Sequence, residues 1–179
     1  MTFLDGQWGF EHNEDCLARF DLYSSKVKSL IITGTVHIHP SVYIHISLWH
    51  PIPLPSLTKF SCFGKIISDE MMYFPSLTSA SFFGPDTPGL LKYFSLVSEN
   101  ITPIPLQSLV IAYAKDHDGL FPPVSQLVTL RSFTLRIHRS YTDLDTLDLR
   151  PLYHLQHLEA LTVDLRPTGI SSRSTTILD

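Results

Sequence analysis

The chain predicts an α/β solenoid of about six irregular repeats with a parallel sheet on the concave face, and three observations lead there. The first is the stretch Leu127-Val-Thr-Leu130-Arg-Ser-Phe133-Thr-Leu135, which carries the phrase apolar-x-x-apolar-x-apolar. The second is recurrence. The phrase opens at Leu130 and returns as Val27/Leu30/Ile32, Leu57/Phe60/Cys62, Leu77/Ala80/Phe82, Leu106/Leu109/Ile111 and Leu158/Leu161/Val163. All 18 template positions are apolar, whereas only Ile31, Val110 and Ala160 are apolar among the 18 positions between them. The third is spacing: the openings at 27, 57, 77, 106, 130 and 158 are separated by 30, 20, 29, 24 and 28 residues.

The last two apolar members of each phrase are two residues apart, so an extended strand points both to one side. A single strand of this kind cannot bury its apolar face, but several stacked in parallel share one core. An L-x-x-L-x-L core with a step of about 20–29 residues is the pattern of a leucine-rich repeat. Leu54, Phe74, Leu127 and Leu155 stand three residues before their openings and extend the apolar ridge. Gly34, Gly64 and Gly84 all fall seven residues after an opening, where a tight exit turn is expected. The later repeats have Tyr113, Ile137 and Leu165 there instead. The asparagine or cysteine that often follows the strand is replaced by Thr35, Lys65, Pro85, Ala114, His138 and Arg166, so backbone or water must satisfy the turns.

Residues 1–26 carry no phrase. Trp8, Phe10, Leu17, Phe20 and Leu22 suit an N-terminal cap or a degenerate repeat covering the first strand. The repeat array occupies 27–168. After its first phrase, Val42, Ile44, Ile46 and Leu48 alternate with Tyr43, His45, Ser47 and Trp49, which predicts an extended connector. Pro51, Pro53 and Pro55 lead into the second phrase and Pro75 into the third. Ser68-Asp69-Glu70 ahead of Met71 and Met72 has the cap and acidic first turn of a helix. Thr87-Pro88 opens another helix, whose apolar face is Leu90, Leu91, Phe94 and Val97 as far as about Asn100. Pro122 and Pro123 break the chain and leave Val124–Leu127 at most one turn; Pro151 splits the run Leu144, Leu147, Leu152, Leu155 into two short pieces.

Residues 169–179 form a polar Ser/Thr-rich tail with no evident cap, so the sixth strand, Leu158–Leu165, is expected at an exposed sheet edge. The chain then reads as a piece of a longer solenoid or of an incomplete gene product. It should self-associate or fray from this end.

A chain of 179 residues can bury a real core, and 17% charged residues with 44% hydrophobic ones describe a folded domain. A net charge of −4 gives no support to nucleic-acid or anionic-membrane partners. Cys16 and Cys62 are too few for a secreted disulfide framework and fit reduced thiols in the cytoplasm or nucleus. No leader-like or 18-residue apolar stretch occurs. Asn100-Ile-Thr102 matches a glycosylation acceptor in form only, since Pro103 follows.

The phrases FPSLTSASFFG, PLQSLVIAY and LQHLEALTVDL resemble the repeat region of fungal F-box proteins over roughly residues 24–168. The resemblance implies a repeat sheet that captures a substrate protein for ubiquitination, joined in that family to an F-box that docks on a Skp-type adaptor. Residues 1–26 lack the Leu-Pro-x-Glu opening of such a box.

For chemistry, His37 and His39 would lie on one face of a strand, with His45 or His50 as a third zinc ligand, but Pro40 interrupts and no Cys, Asp or Glu is adjacent. A metal-dependent enzyme at this strand is the remote alternative. His154-x-x-His157 lacks the glutamate of a zinc protease, and Asp143, Asp145 and Asp148 lack the glycine and glutamate of a calcium loop. No G-x-S-x-G, Walker, G-x-G-x-x-G or C-x-x-C motif occurs. A non-catalytic binding protein without metal or cofactor is therefore expected, either F-box-like or a scaffold unrelated to ubiquitination. The partner, an unidentified protein, would lie on the concave face on Lys59, Phe63, Phe83, Tyr113, Arg131, Arg136 and Asp164. Phe63 and Phe83 should stand side by side, near Tyr113 and flanked by Arg136. Aromatic residues and arginine are enriched where binding energy concentrates.

Overall fold

A computed structural model describes residues 2–4, 7–9, 14–33, 52, 54–64, 74–84, 87–99, 104–114, 119–139, 148–167 and 174–177. Two short strands, β1 (Thr2–Leu4) and β2 (Gln7–Gly9), pair antiparallel, and α1 (Glu14–Ser24) follows. Leu22 on α1 is 57% exposed, so it does not take the covering role expected of it. The main sheet then builds in chain order. Its strands are β3 (Ser29–Thr33), β4 (Lys59–Phe63), β5 (Ser79–Phe83), β6 (Ser108–Ala114), β7 (Ser132–Arg139) and β8 (Ala160–Pro167). These six are parallel, each paired with the strand of the next phrase.

The register puts equivalent template residues beside one another. Leu30, Phe60, Ala80, Leu109, Phe133 and Leu161 form one row; Ile32, Cys62, Phe82, Ile111, Leu135 and Val163 form the next. Both rows point into the core. In the four middle phrases every template residue is buried, whereas the first and last phrases are only partly covered. That gradient is what a stack produces, because an end strand has a neighbour on one side only.

The connectors close the other side of this core. In α2 (Thr87–Glu99) the buried face is Leu90, Tyr93, Phe94 and Val97, the i, i+3, i+4, i+7 spacing of one helical stripe. A short helix, α3 (Phe121–Val124), contains Pro122 and Pro123 and does not begin after them as the sequence suggested. The first turn has no intrahelical N–H to lose, so both prolines are accommodated and Phe121 and Val124 are buried. A 3-10 turn (Arg150–His154) buries Leu152, with Pro151 again in its first positions. α2 touches α3, and α3 touches this turn. The expected connector strand at 42–49 and helix at 68–72 lie outside the described residues, as does Gly34.

Two features repeat at the ends of the strands. At the exit, Gly64 (φ 97°) and Gly84 (φ 67°) adopt the left-handed conformation that the sequence pattern called for. Their N–H groups donate to the Phe83 and Ala112 carbonyls of the next strand, both at 2.8 Å. At the lead-in, the second residue of each phrase offers its carbonyl to two successive N–H groups of the following phrase. Lys28 O thus accepts from Thr58 and Lys59, Thr58 O from Thr78 and Ser79, and Thr78 O from Gln107 and Ser108. Gln107 O and Arg131 O continue the series to residues 159 and 160. Threonine hydroxyls add to it, with Thr58 Oγ1 donating to Lys28 O at 3.0 Å and Thr78 Oγ1 to Thr58 O at 3.1 Å.

The expectation of a bare edge after β8 is corrected. A seventh strand, β9 (Ser174–Ile177), lies antiparallel along β8, from Leu161 opposite Ile177 to Asp164 opposite Ser174. The Ser/Thr tail, rich in β-branched residues, supplies the donors and acceptors that β8 would otherwise turn to solvent. Fraying and self-association from an unpaired sixth strand therefore lose their structural basis.

Candidate binding face of the sheet

Strand geometry alternates side chains, so residues between the core rows must point away from the core. This outward face again consists of rows in register. At the lead-in end lies the row Ser29, Lys59, Ser79, Ser108, Ser132 and Ala160; the middle row is Ile31, Ser61, Ser81, Val110, Thr134 and Thr162. At the exit end lies Thr33, Phe63, Phe83, Ala112, Arg136 and Asp164. Short side chains dominate the first two rows. The bulk is gathered in the third.

Phe63 and Phe83 are register partners and their rings stack, with centroids 4.4 Å apart and planes 8° from parallel. Phe63 remains 41% exposed despite the stack. A partly exposed aromatic pair held in parallel by two sheet strands offers a rigid apolar platform, since few rotamers remain to be lost on binding. Ala112 comes next in the row and is fully buried, with Arg136 on its far side. Arg136 Nε stands 4.0 Å from Asp164 Oδ2. That carboxylate belongs to a buried side chain, whereas the arginine is 42% exposed. The pair ties β7 to β8 while the arginine side chain stays partly exposed.

The remaining expected site residues fall in different places. Lys59 opens β4 and is exposed at the lead-in end, four residues along the strand from Phe63. Arg131 is not in an outward row. It precedes β7, where Ser132 takes the position equivalent to Lys59, and its guanidinium pairs with exposed Glu159 at the same rim of the neighbouring strand. Tyr113 lies in β6 at a shift of register: Ala112 pairs with Arg136 and Ala114 with Ile137, so Tyr113 is the extra residue of a bulge. The platform, Lys59, Arg136 and Asp164 thus share one face; Arg131 borders it.

Among the described residues no three His, Cys, Asp or Glu side chains gather as a metal site would require. His37, His39, His45, His50, Asp143 and Asp145 lie outside them. His154, the last residue of the 3-10 turn, and His157 just beyond it are both exposed. Asp148 is engaged locally, accepting from the backbone N–H of Arg150 at 3.0 Å and from its guanidinium at 2.8 and 2.7 Å. These bonds favour the carboxylate and hold its pKa down at about 2. Burial in the Phe82–Phe94 cluster acts on Tyr93 in the other direction and pushes its phenol well above the ordinary tyrosine range. Among the described residues no helix is long and apolar enough to cross a membrane. No protein-family model, curated protein or solved structure matches the chain.

Proposed function

We propose that this protein is a leucine-rich repeat solenoid that binds another protein on the outward face of its sheet and carries out no catalysis of its own. The biological setting we propose is substrate recognition for an F-box-type ubiquitin ligase in the cytoplasm or nucleus. Support for the architecture comes from six parallel strands stacked in chain order, one per phrase, with connectors packed behind them. The observation that carries the binding role is the Phe63–Phe83 stack, with Phe63 exposed and Phe83 half-buried. Core formation does not need it, because the core rows face the other way. Exposing aromatic area to water without a partner has no stabilising return. The ligase setting rests on the resemblance of the repeat phrases to those of fungal F-box proteins.

The test compares wild type with the double variant Phe63→Ala/Phe83→Ala by quantitative affinity purification, with both variants checked for unchanged far-UV circular dichroism. A protein partner held by wild type and lost by the double variant is the expected result. An identical set of bound proteins would overturn the binding face. A Skp-type adaptor should co-purify only if an F-box exists upstream of these residues and is included with them. No upstream F-box and no adaptor contact, beside a retained partner, leaves a scaffold unrelated to ubiquitination.

A further inference from the structure

The charges on the outward face are unevenly settled. On the β7–β8 side two cations have carboxylate partners: Arg131 pairs with Glu159, and Arg136 with Asp164. On the β3–β6 side the described residues place Lys59 in the outward lead-in row, and Lys28, one residue before β3 and at the offset of Arg131, borders it at the same rim. Both are exposed, and among the described residues no carboxylate lies within ion-pair distance of either. Their backbones meet at the lead-in rim, where the Lys28 carbonyl accepts from the Lys59 N–H at 3.0 Å. Both add positive charge to one rim of a protein whose net charge is −4. A local positive spot against the overall sign is what a negatively charged partner would neutralise.

The apolar part of the same half lies at the opposite end of the strands. Four residues separate Lys59 from Phe63, roughly 13 Å at about 3.3 Å per residue in a parallel strand. Between them the middle row has Ser61 and Ser81, whose short side chains leave room for a main chain to lie close, with exposed Ile31 on the flank. We infer that the β3–β6 half of the face takes an extended acidic–apolar segment of a protein partner. Its carboxylates sit at the Lys28–Lys59 end, and an aromatic or branched apolar residue about four positions away sits on the Phe63–Phe83 stack. This inference rests on the binding reading above and gives the partner its chemistry. A nucleic acid could also use lysine and aromatic rings, but its many phosphates would meet the repulsion of the whole acidic chain.

A random peptide library displayed on phage and selected on the immobilised full chain tests it, followed by fluorescence anisotropy with an enriched peptide. Enriched sequences should carry Asp or Glu at one end and Phe, Trp, Leu or Ile at the other. Binding should weaken roughly tenfold in Lys28→Glu/Lys59→Glu, weaken as salt is raised, and stay within about twofold in Tyr153→Ala on the distant 3-10 turn. Enrichment of basic or uncharged peptides, or no enrichment, overturns the inference. So does self-association through Phe63 and Phe83 seen in sedimentation, or tighter binding of a single-stranded oligonucleotide than of any peptide. Peptides that require Phe63 and Phe83 but ignore both lysines overturn the acidic partner and leave the binding face standing. Peptides indifferent to all four residues overturn both.

Discussion

Phe82 and Phe83 are adjacent in sequence, alike in chemistry and opposite in fate, which makes their replacement a direct measurement of the strand register. Phe82 is fully buried and its ring meets Phe60 at 5.9 Å, Tyr93 at 5.5 Å and Phe94 at 6.3 Å. Truncating such a residue removes its transfer free energy and leaves a cavity that three surrounding rings cannot easily fill, a loss of about 4 kcal/mol. Phe83 is half-buried on the other side and its ring partner is exposed Phe63. Phe83→Ala should therefore cost about 1 kcal/mol, the value of one aromatic pair and some covered area. The difference of about 3 kcal/mol corresponds to roughly 1.5 M in the urea midpoint for an m-value near 2 kcal/mol per M. Equilibrium urea unfolding followed by circular dichroism reads it directly. If Phe82→Ala yields too little folded protein, Phe82→Leu supplies a milder step in the same direction. Equal losses at the two positions, or a larger loss at Phe83, would show that β5 does not alternate as described and would remove the outward platform with it.

Three other outcomes follow from the contacts above. Asp148 should titrate near pH 2, and Arg150→Ala should return it toward the ordinary carboxylate value of 3.8, followed by NMR of its side-chain carboxyl. Its folded pKa is depressed, so the stabilisation is present above 3.8 and is lost as pH falls toward 2; a midpoint unmoved by the substitution would remove the pairing. Tyr93 has the opposite sign, because it keeps its proton in the fold while an unfolded chain releases it above about pH 10. Stability should fall in that alkaline range and fall less steeply in Tyr93→Phe; equal slopes for both proteins would contradict its burial. Thr78→Val should cost about 1 kcal/mol in urea unfolding through loss of the hydroxyl bond to Thr58 O, and no change at all would leave the backbone donors alone responsible for the lead-in series.

Much of the sheet was legible because one physical demand writes it into the sequence. A strand buried on one side must repeat apolar residues two apart, and Phe60/Cys62, Phe82 and Leu135 reveal both element and facing at once. Phe63 beside Phe83 followed from equal offsets after Leu57 and Leu77. Tyr93 was missed because a tyrosine gives no sign in sequence of whether its hydroxyl end reaches water. Arg131 was misplaced because its neighbourhood depends on where the bend ends and the strand begins, a matter of one residue that composition does not mark. Glu159 could have signalled the truth, since it occupies the same offset after Leu158 that Arg131 does after Leu130. β9 was hidden for a different reason: an edge strand needs little apolar content when it covers another strand by backbone bonds alone. Thr58 and Thr78 share an offset that was in plain view, but their hydroxyls act on carbonyls 30 and 20 residues away, beyond local pattern reading.

The lead-in bonds carry a consequence for how such a chain can change. Each second-position carbonyl fixes the start of the next strand by accepting from two consecutive N–H groups, whether the intervening path is 20 residues or 30. Strand phase is thereby set at the rim and is uncoupled from the length of chain that leads to it. Closing a connector of twice the length costs only about 0.6 kcal/mol more in entropy. Segments between the strands can consequently be lengthened, shortened or exchanged while Phe63, Phe83 and Lys59 keep facing outward. The backbone rim acts as a ruler, leaving the loops free to vary and the face they surround constant.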